Sequence, residues 1–177
     1  MTIKKLTLMA ILTAIALIIY IIEAQIPLPV PIPGVKLGLA NAVTLFALFY
    51  CAGAKQDEGY EKSITLTTVN VFTILLCRIV LGALFTGRPI ALIYSLAGGL
   101  LGLTVQVILK RFVSNKQIWV CGAIGAIFHN TGQIAAAMLI TGTPAIIAYL
   151  PVLIIAGVFT GVLTGLIAQF TLERLKS

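Results

Sequence analysis

Polar side chains inside long apolar runs are the residues of this sequence most able to do chemistry. Arg78 interrupts one such run, and His129, Asn130 and Gln133 interrupt another, in the stretch GAIFHNTGQ. On a helix His129 and Gln133, four apart, share a face, and Asn130 and Gln133, three apart, nearly do. Polar groups in such segments are costly and by default mark a site facing the protein interior. We therefore expect these four side chains to line a binding site.

Further polar residues stand at the ends of the apolar runs. Lys36 and Asn41 begin the second run, Arg88 and Tyr94 begin the fourth, and Glu23 closes the first. All belong to the same half of the expected helix bundle as the first group, and cations outnumber the one carboxylate. An anionic or carboxylate-bearing ligand would suit this site, and the long apolar helices around it could contact a hydrophobic part of the ligand.

Each of these residues also has a purely structural interpretation. Arg78 can pair with Glu23 or cap helix carbonyls, and His129 can be a hydrogen-bonded packing residue. Side-chain amides can bond across helices. Cations at helix ends can extend their charged heads to the membrane surface.

The sequence contains few of the patterns that mark catalytic sites. Asp57 is the only aspartate, so the chain has no DDxxD pair to bind a diphosphate through Mg²⁺, and it has no GxxxxGK[ST] loop for ATP. His129 has no nearby serine or cysteine nucleophile with a third orienting group. We expect no catalytic residue, no metal and no cofactor, and therefore a protein that is not an enzyme.

Apolar helices must position these side chains. The chain is 60% hydrophobic and only 10% charged over 177 residues, against about a quarter charged in soluble domains. Apolar runs of about 18 or more residues predict membrane-spanning helices. The prediction is an all-α bundle in one polytopic membrane domain over 1–177, with six spans at about 6–22, 37–54, 64–85, 90–109, 118–140 and 145–170.

The connector between the first two spans is unusual. Pro27, Pro29, Pro31 and Pro33 exclude a helix there and favour a stiff, extended strap. The strap is itself apolar, which predicts that it lies over a binding site as a lid.

The charges indicate the orientation in the membrane. One side of the predicted topology holds only Lys36 and Arg88, and the other holds Lys4, Lys5, Lys55, Lys62, Lys110, Arg111, Lys116, Arg174 and Lys176. Positive residues favour the cytoplasmic side, so both termini are predicted there. Because the net charge of +7 follows topology and forms no basic stripe with interleaved aromatics, nucleic acid is not an expected partner.

Four motifs carry a family resemblance that runs over nearly the whole chain: PGVKLGLAN (33–41), RIVLG (78–82), YSLAGGLLGL (94–103) and GAIFHNTGQ (125–133). They resemble the bacterial Gx transporter family, often labelled heptaprenyl diphosphate synthase component I. That family is similar to the substrate-binding S components of energy-coupling factor transporters. The resemblance implies a six-helix protein that captures a solute on the outer side beneath its first loop. It also implies docking, through an AxxxA face on the first helix, to a transmembrane scaffold with two ATPases.

Ala10 and Ala14 occupy the place of that docking face, and their spacing alone lets another backbone approach closely. We expect a substrate-binding, S component-like subunit of an importer in the bacterial cell membrane, surrounded by lipid. The alternative is a non-catalytic membrane accessory subunit of heptaprenyl diphosphate synthesis. A stand-alone carrier is a third interpretation, which the lack of an evident internal repeat disfavours.

Overall fold

The computed structural model describes residues 3–26, 35–53 and 66–176. The four prolines of the predicted strap and the polar loop from Lys55 to Lys62 lie outside these ranges. That the strap acts as a lid therefore stays a prediction.

The described residues are almost entirely helical and contain no strand. Their six α-helices are α1 (Ile3–Glu23), α2 (Asn41–Gly53), α3 (Thr68–Thr86), α4 (Pro89–Leu109), α5 (Ile118–Thr141) and α6 (Leu150–Lys176). Two short 3-10 turns, Asn115–Gln117 and Pro144–Tyr149, lead into α5 and α6. Within these ranges five helices are long and apolar enough to cross a membrane, and α2 is shorter. The all-α membrane bundle is confirmed, and the protein is a multi-pass membrane protein.

The helix α2 begins four residues later than the apolar run 37–54 predicts, and its described part, Asn41–Gly53, has 13 residues. Residues 37–40 are instead non-helical and end in a turn, in which the Asn41 N–H donates to the Gly38 carbonyl over 2.9 Å. Other helices enclose α2, burying Leu45, Leu48 and Phe49. Non-helical backbone is tolerated in a membrane protein where it is buried in protein.

A repeated Thr-Gly-X-Pro pattern ends α3 and α5. Gly87 and Gly142 follow the last helical residues with φ of 62° and 63°, a left-handed conformation that side chains disfavour. Pro89 then begins α4, and Pro144 begins the 3-10 turn before α6. We call the end of the bundle at the Gly87 turn the upper end.

Close backbone contacts join α4, α5 and α6. A Cβ atom added at Gly98 of α4 would lie 2.6 Å from the His129 carbonyl oxygen of α5. One added at Gly161 of α6 would lie 2.6 Å from the Gly122 carbonyl oxygen on α5. Such contacts are typical of small residues between membrane helices.

Two apolar clusters separate the bundle into levels. The larger one, nearer the lower end, includes Leu12, Phe49 and Leu75, and the smaller one, nearer the upper end, includes Val35 and Ile134. On α5 the buried polar residues His129, Asn130 and Gln133 lie between Cys121 of the larger cluster and Ile134 of the smaller one.

The helix α1 keeps one face uncovered. Ala10 and Ala14 are both exposed, in line with exposed Ile11 and Ile18 on the same outward side. In the described chain this face is open to lipid or to another protein, as a docking face must be. That it docks to a partner stays a prediction.

Candidate functional site

The segment 35–40, between α1 and α2, is the structural centre of the site. Val35, Lys36 and Ala40 are buried although the segment is not helical. The Gln133 side-chain amide of α5 accepts a hydrogen bond from the Lys36 N–H at 2.8 Å and donates one to the Lys36 carbonyl at 3.0 Å. Gln133 thereby replaces the partners that a helix or strand would have given this backbone.

The Lys36 side chain turns back to α1. Its Nζ atom lies 3.0 Å from the centroid of the Tyr20 ring and donates to the Tyr20 carbonyl over 3.4 Å. Cation–π contacts of this kind are worth about 2 kcal/mol or more when desolvated. The Tyr20 hydroxyl lies 3.4 Å from the Ser95 hydroxyl on α4, and the ring packs against Gly82 of α3. Tyr20 therefore links Lys36 to three helices.

Arg78 lies beside this segment in the interior of the bundle. Its guanidinium donates to the Asn41 side-chain oxygen at the start of α2 over 3.1 Å, while its Nε has no hydrogen-bond partner among the described residues. The Glu23 carboxylate, at the end of α1, accepts from the Gly38 N–H. Glu23, Lys36 and Arg78 are all at most 5% exposed. Buried charges are normally paired, and here one carboxylate faces two cations.

The electrostatics of Lys36 reflect this arrangement. Burial lowers the pKa of its ammonium from 10.5 to about 8, with Arg78 and Arg88 assisting and the Glu23 carboxylate opposing. A cation held at reduced pKa by its surroundings is stabilised when an anion arrives.

His129 completes the group next to Gln133. The Gln133 amide nitrogen contacts the His129 Nε2 atom, and the ring also lies close to Gly38. Because Lys36 fixes the amide orientation of Gln133, its nitrogen faces the ring as a donor, so Nε2 of His129 is the acceptor. The Nδ1 atom then carries the proton and makes no hydrogen bond within the described ranges.

The structure thus brings five of the eight predicted site residues together. We call these five, with Glu23, the polar cluster: Glu23, Lys36, Asn41, Arg78, His129 and Gln133.

Among the described residues, no hydrogen bond joins the other three predicted residues to this cluster. Asn130 points to α6 and donates to the Leu153 carbonyl over 2.6 Å, with its Oδ1 unpartnered in the described part of the chain. Tyr94 is buried in the upper apolar cluster with Val35. Arg88 is exposed at the upper end, immediately before α4. Asn130 follows His129 directly on α5, so the two side chains point in different directions from the helix.

Sequence reasoning missed Tyr20, Ser95 and Gln106. Tyr20 precedes Glu23 by three residues, so a shared helix face was the available signal. Gln106 is buried in the lower half of α4. It interrupts an apolar run as Arg78 does, and the same criterion could have found it.

The cluster contains two buried cationic side chains and a donor without a partner among the described residues, the Nε atom of Arg78, which are groups that an anionic ligand requires. Among the residues that the structure describes, no three His, Cys, Asp or Glu side chains lie close enough to hold a metal ion.

Comparison with protein families gives one match. The sequence model of the family described as heptaprenyl diphosphate synthase component I matches residues 12–56 and 62–171, which is most of the chain. The family expected from the four motifs is thereby confirmed. No curated protein and no solved structure matches the chain.

Proposed function

Since the chain belongs to the heptaprenyl diphosphate synthase component I family, we propose that it is the membrane-embedded, solute-binding subunit of an energy-coupling factor-type importer. The word "component" in the family's description indicates a multi-subunit complex. In this proposal the chain captures a small anionic or amphiphilic solute from outside, and a separate transmembrane scaffold with two ATPases drives its release inward. The chain itself has no catalytic role.

The observation that carries the proposal is the polar cluster. Two buried cations, Lys36 and Arg78, stand against one buried carboxylate, Glu23, inside an apolar bundle. A purely structural network would be expected to balance its charges, because an uncompensated buried charge is strongly destabilising. A bound anion would supply the missing negative charge, and the unpartnered Nε of Arg78 would supply a donor for it.

The position of the cluster supports entry from one side. Arg88 is exposed at the upper end, and its charge acts on Lys36. In the proposed orientation this end faces outward and both termini face the cytoplasm. An exposed positive residue at this end raises the local concentration of anions there.

The exposed face of α1 supports the proposed partner. Ala10 and Ala14 are small and exposed, so a second helix can approach closely at this face. In the proposal the scaffold subunit docks there.

A second candidate follows from the family's description, which names a synthase. The chain would then be a non-catalytic membrane subunit that holds or delivers a lipid substrate to a soluble prenyltransferase. The cationic cluster would suit a diphosphate as well as a carboxylate.

Isolation of the tagged protein from its native membrane in mild detergent, with mass spectrometry of what elutes with it, distinguishes the two. Recovery of a membrane scaffold with two ATPases supports the importer subunit. Recovery of a soluble prenyltransferase instead rejects it in favour of the accessory subunit. Recovery of neither rejects both complexes and leaves a stand-alone carrier, which uptake into liposomes would test.

A further inference from the structure

The charge balance of the polar cluster indicates which anions it can accept. Its cations are the Lys36 ammonium and the Arg78 guanidinium, and its anion is the Glu23 carboxylate. Of the acidic residues that the structure describes, Glu23 and Glu173, only Glu23 is buried. Because the pKa of Lys36 is about 8, its ammonium is charged at neutral pH, and the cluster then carries one net positive charge.

Glu23 is held in the cluster by hydrogen bonding and by charge. Its carboxylate accepts a hydrogen bond from the Gly38 N–H, and the Leu39 N–H and the charges of Lys36 and Arg78 also act on it. Burial favours the neutral acid, whereas these donors and cations favour the carboxylate. A neutral acid would leave two buried cations without any counter-charge. Glu23 therefore contributes a fixed negative charge to the site.

The remaining members of the cluster are neutral. Asn41 and Gln133 carry amides, and the Nε2 atom of His129 accepts from Gln133, so its ring is a neutral imidazole. Arg88 acts on Lys36 from the exposed upper end, where water and salt screen its charge. The three buried charged side chains therefore set the net charge that a solute meets.

The charge of a solute changes its binding energy in two opposing ways. The cost of removing an ion from water grows with the square of its charge, whereas its attraction to a fixed positive charge grows only in proportion. A monoanion leaves the cluster neutral. A dianion has a roughly fourfold larger desolvation cost and leaves one buried negative charge without a partner.

We propose that the polar cluster selects a monoanionic group, such as a carboxylate, over a dianionic one, such as a phosphate monoester, and that Glu23 sets this preference. The inference rests on the proposed function and adds the charge class of its solute. The two cations by themselves suit either kind of anion. Glu23 offsets one of them and so disfavours a solute group with more than one negative charge, including a diphosphate.

The test compares three probes at about pH 7 by calorimetry on the purified protein in lipid nanodiscs, with empty nanodiscs as the blank. The probes are hexanoate, hexyl sulfate and hexyl phosphate. The last two have the same tetrahedral shape, but the sulfate is a monoanion, and the phosphate, with a second pKa of about 6, is mostly a dianion. The wild type is expected to bind hexyl sulfate at least about tenfold tighter than hexyl phosphate.

Two substitutions of Glu23 separate its charge from its other contacts. Glu23→Gln removes the charge and keeps an oxygen that can accept from the Gly38 N–H, so the ratio of the two affinities should move at least about tenfold towards hexyl phosphate. Glu23→Asp keeps the charge, so the preference for hexyl sulfate should remain. Glu173→Gln is the matched control, because it removes an exposed carboxylate on α6 and should leave the ratio unchanged.

The outcomes distinguish this inference from the proposed function. If the wild type binds hexyl phosphate as tightly as hexyl sulfate, or if Glu23→Gln leaves the ratio unchanged, an anion site stands and its selection by Glu23 is rejected. If none of the three probes binds, the anionic solute of the proposed function is rejected, and the charge selection with it. If Glu23→Gln does not fold, the wild-type comparison decides: a preference for hexyl sulfate supports the inference, and its absence overturns it.

Discussion

Gln133 and Lys36, 97 positions apart in the chain, pair through two hydrogen bonds, the amide of Gln133 accepting from the Lys36 N–H and donating to the Lys36 carbonyl. One side chain on α5 thus fixes both polar groups of one peptide residue between α1 and α2. Since the same amide also contacts His129, the Lys36 N–H, the Lys36 carbonyl and the His129 ring all depend on its orientation. This relationship explains how a non-helical segment is stable inside an apolar bundle.

Removal of the Gln133 amide should loosen the segment 35–40. We expect Gln133→Ala to leave the Lys36 N–H and carbonyl unsatisfied, a loss of about 1–3 kcal/mol for a buried group. Hydrogen–deuterium exchange of peptides that cover 35–40 should then become faster. Asn130→Ala is the control, because Asn130 bonds α6 and not this segment. Equal exchange in the Gln133 variant and the wild type would show that other contacts hold the segment.

Anion binding should weaken as the pH rises through about 8. The pKa of Lys36 is lowered to about 8, so its ammonium is charged below that value and neutral above it. The affinity for hexanoate should be nearly constant below about pH 7 and fall by up to tenfold per pH unit above about pH 8. Calorimetric titration across this range measures the effect. Lys36→Arg keeps the charge and should flatten the profile, and an equally steep profile in that variant would exclude Lys36 as the cause.

Arg78 should contribute binding and not assembly. Arg78→Ala removes the guanidinium that faces Asn41, and we expect a loss of affinity for hexanoate of at least about tenfold, as for a charge-assisted hydrogen bond. Arg78→Lys should recover part of it, because the charge remains but the planar fork does not. Recovery of partner subunits in the affinity isolation should not change. Full affinity in Arg78→Ala, in a variant that elutes as a single species, would remove Arg78 from the site.

Gly82 should be required for the position of Tyr20. An added Cβ atom would collide with the Tyr20 ring, so Gly82→Ala should destabilise the fold by about 1–3 kcal/mol, as overpacking does. Gly99→Ala is the matched control, because its nearest neighbours are the terminal methyls of Ile79 and Leu75 at 3.2 Å, which can move. Thermal unfolding in detergent compares them. Tyr20→Leu should rescue Gly82→Ala, and a double variant no more stable than the additive sum would contradict the contact.

Bulk on the exposed face of α1 should affect assembly and not binding. Ala10→Leu together with Ala14→Leu adds bulk where a second helix would approach, so recovery of the scaffold subunit should drop sharply while hexanoate affinity stays unchanged. Cys77→Leu, a similar change on the exposed surface of α3, should have no effect. Undiminished recovery of the scaffold with both leucines in place would place the docking surface elsewhere.

Much of the fold followed from composition, because a membrane forces long apolar segments into helices. The second segment shows where this reasoning stops. Its apolar run predicts a helix from residue 37, yet the non-helical segment before α2 is held by hydrogen bonds from Lys36 to α5 and from Gly38 to α1. The sequence could predict that a polar site exists, since buried polar residues such as Arg78 mark it. It could not predict which of these residues come into contact. Asn130 and His129 are neighbours in sequence and face different helices.

The sequence alone therefore determined that this protein is a helical membrane bundle with polar groups in its interior. Polar groups are costly in contact with lipid whatever the order of the helices, so they are expected to face the inside of the bundle. Only the tertiary structure decided which groups meet. It joined Gln133 to Lys36, placed the Lys36 ammonium over the Tyr20 ring, and turned Asn130 towards α6. The reason is geometric. A hydrogen bond forms only when donor and acceptor lie within a few tenths of an ångström of their preferred separation, and residue spacing along one helix carries no information about the position of the next helix.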